Sequence, residues 1–88
     1  MLVQAIGNLG VKLTLTYEDS EGRVTRRRVI ANDVVTLDAV PYRLHAYCLK
    51  RSDDRTFLFA RILEIETAEG ELRDAYEWAD QQISKSSP

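Results

Sequence analysis

The sequence predicts a mainly β domain: a small antiparallel β-barrel of about five strands with a short helix at each end. Three observations lead there. Apolar and polar residues alternate with period two in several stretches, as in half-buried strands. Clusters of Gly, Asp, Ser and Glu separate those stretches and supply tight turns. The chain has 88 residues, room for one domain, and closing a barrel hides strand edges that a small sheet otherwise exposes.

Taken in order, Leu2, Ala5, Ile6 and Leu9 fall at helical spacing, and Gly10 can end that turn, so residues 2–9 read as the N-terminal helix. From Val11 the period changes. Val11, Leu13, Leu15 and Tyr17 alternate with Lys12, Thr14 and Thr16 to make the first strand. Glu18 to Gly22 forms a turn, and Arg23 to Ile30 returns as the second strand. Asn32, Asp33 and Asp38 mark an irregular stretch.

Tyr42 to Leu49 reads as the third strand, with Tyr42, Leu44, Ala46 and Cys48 on one face and Arg43, His45 and Tyr47 on the other. Arg51 to Asp54 is a polar turn. Arg55 to Phe59 is the fourth strand, Arg55, Phe57 and Phe59 sharing a face. Ile62 to Thr67 alternates around Ile65 until Gly70 breaks it. Asp74, with Glu77 three residues on, has the spacing of a capping box opening a C-terminal helix. Ala75, Ala79 and Ile83 give that helix a packable stripe. One domain is therefore expected over residues 1–83, with 84–88 a frayed, disordered end. Periodicity does not separate an SH3-like barrel from an OB-fold.

Composition excludes several classes. The 30% charged residues and 44% hydrophobic residues are ordinary for a globular domain, and no apolar stretch approaches the ~20 residues that cross a bilayer. The start lacks the basic residues and apolar run of a signal peptide, and a lone cysteine, Cys48, suits a reducing compartment; the expected setting is cytoplasmic, with no membrane partner. The net charge of −2 hides an asymmetry. Residues 1–61 carry ten Lys/Arg against seven Asp/Glu, and residues 62–88 carry two against seven. A basic body beside an acidic tail is compatible with a local anion site.

Catalytic signals are weak. His45 and Cys48 are an odd number of positions apart on one strand, so they face opposite sides and form neither a chelate nor a nucleophilic pair. Cys48 reads as a small core residue. Four glycines include no phosphate-cradling loop, and no cofactor is expected. The arginines carry more. Arg26, Arg27 and Arg28 are consecutive on a strand, so at least one points toward the core side. Arg55 and Arg61 share strand parity with Phe57 and Phe59. An arginine there is costly to desolvate unless it reaches the rim or meets an anion.

Read together, these residues form a series. Leu15-Thr16-Tyr17, an acidic turn ending at Gly22, and Arg27-Arg28-Val29-Ile30 resemble the opening hairpin of WYL domains. Tyr42-Arg43-Leu44, followed by His45 and Ala46-Tyr47-Cys48, is similar to that family's Trp-Tyr-Leu segment and its continuation. Arg51, Arg55-Thr56-Phe57 and Arg61-Ile62 resemble its closing signature. Departures are the missing tryptophan in the triplet, Ala31 where a proline is usual, and Ala60 where an aspartate precedes Arg-Ile. The resemblance spans roughly residues 5–80. It implies an SH3-like (Sm-like) barrel, non-catalytic, that senses a ligand in bacterial transcription regulation or defence. The implied ligand is single-stranded nucleic acid or a nucleotide-like anion, held by Tyr42, Arg43, Leu44, Arg55 and Arg61, with Arg27 or Arg28. A partner protein or domain would supply the output, and a homodimer is compatible. The alternative function is a peptide-docking module of SH3-like type.

Overall fold

A computed structural model describes residues 1–86. Its elements are β1 (Val3–Ile6), β2 (Val11–Glu18), β3 (Val24–Leu37), β4 (Val40–Cys48), β5 (Asp53–Leu58), a 3-10 turn (Phe59–Arg61), β6 (Ile62–Thr67), β7 (Leu72–Arg73) and α1 (Ala75–Ser86). All strand pairs are antiparallel, in the order β5-β4-β3-β2-β6-β7, with β1 also on β3. The result is an open, curled sheet of seven strands, where a closed barrel of about five was expected.

β3 is the spine. Val24–Ala31 pairs with β2, Val34–Leu37 pairs with β1, and Val29–Leu37 pairs with β4. The stretch expected to be irregular runs through this strand instead. Asn32 is an extra residue in the β3–β4 ladder, a bulge that bends the strand without ending it. β3 then turns into β4 through Asp38-Ala39, both at positive φ (48° and 70°), the mirror-image turn that suits a two-residue hairpin.

The N-terminal helix expected over residues 2–9 does not form; its centre is β1. A helix of two turns is marginal in water. The second half of β3, beyond the reach of β2, offers a bare edge, and four backbone pairs with it outweigh the helical option. Closure fails for a related reason. The two outermost strands, β5 and β7, do not pair; the 3-10 turn joins β5 to β6, and α1 packs across the gap on β6 and β4.

The core lies on the concave side. Leu13, Leu15, Val29, Val34, Leu44, Phe57, Phe59 and Ile65 are buried there, and Ala75, Trp78 and Ala79 of α1 cover them. Burying a side chain of this kind contributes roughly 1.5–3 kcal/mol each. Tyr17 meets Phe57 edge to face at 5.1 Å, and the Leu58 amide donates to its hydroxyl at 3.3 Å, tying β2 to the end of β5. Asp74 caps α1 as the sequence suggests, its Oδ2 accepting from the amides of Tyr76 (3.1 Å) and Glu77 (3.2 Å). The helix continues through Ser84 and Lys85 to Ser86, within the stretch expected to be frayed from Ser84; residues 87–88 lie outside the described residues. Among the described residues no helix is long and apolar enough to cross a membrane.

Candidate anion-binding face

The convex face of the sheet is built by strand alternation. Leu13, Leu15 and Val29 point into the core, so Thr14, Thr16, Arg26 and Arg28 point outward. Register then sets neighbours: Arg28 lies beside Thr14, which lies beside Glu66, and Arg26 beside Thr16, which lies beside Glu64. The β4–β5 hairpin adds Leu49 and Lys50. Arg26, Arg28, Leu49 and Lys50 line a groove of about 320 Å³, continuous through Arg28 and Leu49 with a cleft of about 410 Å³ that includes Lys12, Thr14 and Glu66. Arg26 pairs with Glu66 at 3.3 Å. Among the described residues, Lys12, Arg28 and Lys50 have no ion-pair partner.

The outward row of β4 extends this cluster. It runs Leu49, Tyr47, His45, Arg43, about 20 Å at ~3.3 Å per residue. Tyr42 is a second bulge: Thr36 pairs with Pro41 and Val35 with Arg43, leaving Tyr42 between them. The bulge removes Tyr42 from the buried face where simple alternation placed it. Its ring is exposed and carries the Arg43 guanidinium at 4.9 Å, a cation–π pair. Midway, His45 Nδ1 stands 3.7 Å from Asp33 Oδ2.

The other expected ligand residues do not join this row. Leu44 is fully buried, so its side chain belongs to the core. Arg55 lies beside Ala46, on the opposite face from Arg43, and its Nε donates to Asp53 Oδ1 at 3.2 Å. Arg61 donates to the Asp19 carbonyl at 2.9 Å, bracing the β2–β3 turn. Arg27 faces the concave side, where its Nε donates to Thr25 Oγ1 at 3.2 Å. Arg43, Arg55 and Arg61 therefore do not converge. Of the expected set, Arg28, Arg43 and Tyr42 share the convex side. Lys12, Arg26, Leu49 and Lys50 were missing from it; the hairpin register that aligns Thr14 with Arg28 was the signal that could have found Lys12 and Arg26, whereas Leu49 and Lys50 come in through the β3–β4 pairing.

Cys48 is buried on the concave side, away from His45, as the spacing predicted. Burial pushes its thiol up, but the Arg51 amide, the Arg27 guanidinium and the Lys50 amide outweigh this and hold it below the usual thiol range. Among the described residues no three His, Cys, Asp or Glu side chains gather as a metal site.

A family model described as the WYL domain matches residues 2–67, three quarters of the chain. The match takes in β1 to β6 and stops before β7 and α1. No curated protein and no solved structure gives a significant match.

Proposed function

We propose, since the chain belongs to the WYL domain family, that it is a ligand-sensing regulatory module whose convex face binds single-stranded nucleic acid or a nucleotide-like anion. The observation that carries this reading is the group of Lys12, Arg28 and Lys50, unpaired cations around two adjoining grooves that meet at Arg28 and Leu49, continued along β4 by Tyr47 and the Tyr42–Arg43 pair. Cations along a backbone track with aromatic rings between them suit unpaired bases, because every base presents a face that can stack. The acidic side of the sheet, Glu64 and Glu66, bounds the track and disfavours a broad duplex footprint. Signal output would pass to a partner protein or domain.

Fluorescence anisotropy with a labelled single-stranded oligonucleotide tests this. Binding should be present at low salt and fall several-fold between about 50 and 200 mM, as counterion release requires. Arg28→Ala with Lys50→Ala should weaken it about tenfold or more, while Arg55→Ala leaves it unchanged. No binding at low salt would overturn the reading.

A second reading is peptide docking, favoured by one observation. Val3, Leu37 and Val40 form a cross-strand row at the far end of the sheet, and Val3 and Val40 are 58% and 57% exposed. Apolar docking there would be insensitive to salt and lost in Val40→Asp.

A further inference from the structure

The inward stripe of α1 runs Ala75, Trp78, Ala79 and Gln82, at the spacing of a helix face that packs on a core. The last of these breaks the pattern. Gln82 is polar, yet only 8% exposed. Its carboxamide offers two donors and an acceptor. Among the described residues, no protein group hydrogen-bonds to it. No side-chain polar atom is both fully enclosed and unpartnered, so this amide reaches open space. The space that Gln82 lines is a cleft of about 530 Å³, larger than either groove of the convex face. It lies at the rim, where the second half of α1 faces the start of β2 and the turn after β6. An apolar residue at position 82 would complete the stripe; the glutamine instead leaves a polar group at the wall of a cleft, where an unmatched amide is costly.

The charges on the walls narrow the choice of ligand. Arg73 is neutralised by its pair with Glu71. Lys12 and Lys85 line the cleft without an ion-pair partner, and so does Glu69, which leaves a surplus of positive charge. Lys85 stands in the last turn of α1, where its ammonium offsets the negative end of the helix dipole. An incoming carboxylate is therefore better placed at Lys12, on the β2 wall. We propose that this cleft binds a small carboxylate that also carries an amide. The ligand amide pairs reciprocally with Gln82, its carbonyl accepting from Nε2 and its N–H donating to Oε1, while its carboxylate meets the Lys12 ammonium. The cleft is in the size range of small-molecule sites. Gln82 lies beyond residues 2–67, the span matched by the family model, so the site is half made by a segment outside that pattern. The proposal does not rest on the nucleic-acid reading. The two sites adjoin through Lys12, Thr67 and Ala68, which line both.

Heteronuclear NMR on the full chain tests this with N-acetylglycine, which carries both groups, against acetate and N-methylacetamide, which carry one each. N-acetylglycine should shift the Gln82 side-chain amide resonances saturably, with a Kd on the order of 1–10 mM for so small a probe. The Gln4 side-chain amide on β1 should not move. Acetate and N-methylacetamide should each bind at least about fivefold more weakly, and Lys12→Ala should weaken N-acetylglycine by a similar factor. Gln82→Leu should abolish binding and raise the melting temperature, because leucine completes the stripe of α1 without an unmatched amide. That rise also establishes that the variant is folded. Oligonucleotide anisotropy of Gln82→Leu should match wild type, so the two sites are tested separately. No saturable shift up to about 50 mM, an equal response to acetate alone, or a Gln82→Leu variant that melts below wild type each overturns the proposal.

Discussion

The two faces of this sheet are made by the same strands and do opposite work, and Arg27 and Arg28 show it most sharply. One residue apart on β3, they project to opposite sides. Arg27 is half-buried, donates to Thr25 and lies beside the Cys48 thiol. Arg28 is exposed and unpaired in a groove. The concave face concentrates Phe57, Phe59, Leu44 and Trp78, whereas the convex one has threonines and charges. Between Arg27 and Arg28 the residue type is the same, and what differs is which side is sealed by α1. A guanidinium under cover must find acceptors within the fold, while one in the open keeps its charge for a partner.

The largest expected effect would break the concave side. Phe59 is fully buried and its ring lies 5.9 Å from that of Tyr76 on α1. Phe59→Ala should cost about 3–5 kcal/mol in chemical denaturation, enough to unfold much of so small a domain. A loss below about 1 kcal/mol would mean that α1 does not seal this face.

A smaller effect sharpens the comparison directly. Arg27→Ala should cost about 1 kcal/mol, through its lost hydrogen bond and packing, and leave oligonucleotide affinity nearly unchanged. Arg28→Ala should change stability by less than about 0.5 kcal/mol and reduce affinity. Denaturant midpoints and anisotropy on the same two proteins read both quantities. Equal stability losses would erase the distinction between the faces.

The smallest effect concerns the β2–β3 turn, where Arg61 also anchors. The Arg23 amide, donating to Asp19, holds that carboxyl below the usual carboxylate range; slight burial opposes it, and the Glu21 amide and Arg23 guanidinium add to it. A depressed folded value means that the carboxylate contributes stability above its unfolded pKa and loses it as pH falls through the folded one. Asp19→Asn should therefore lower the melting temperature slightly at neutral pH and make no difference once the wild-type carboxyl is protonated. A deficit of the same size at every pH would assign the loss to packing.

Local features were legible. The alternation at Leu13 and Leu15, the aromatic face of Phe57 and Phe59, the cap at Asp74 and the burial of Cys48 each follow from neighbours within a few residues. The misreadings have a common cause. Parity counted along β4 put Tyr42 with Leu44, but the extra residue opposite Val35 and Thr36 resets the count. Parity also joined Arg55 to Arg61, although the 3-10 turn between them ends the alternation.

By itself the sequence determined that this is a mainly β domain with a capped C-terminal helix, where most of its strands run, and the family to which it belongs. Those properties depend on side-chain period and turn chemistry, which act over a few residues. Only the tertiary structure decided that residues 3–6 add a strand to β3, that the sheet stays open under α1, and which cations share a groove. Each of these depends on register between segments distant in the chain. Lys12 comes near Arg28 through the β2–β3 hairpin, but Lys50 reaches Arg28 only through the β3–β4 ladder, and nothing in their spacing along the chain announces that.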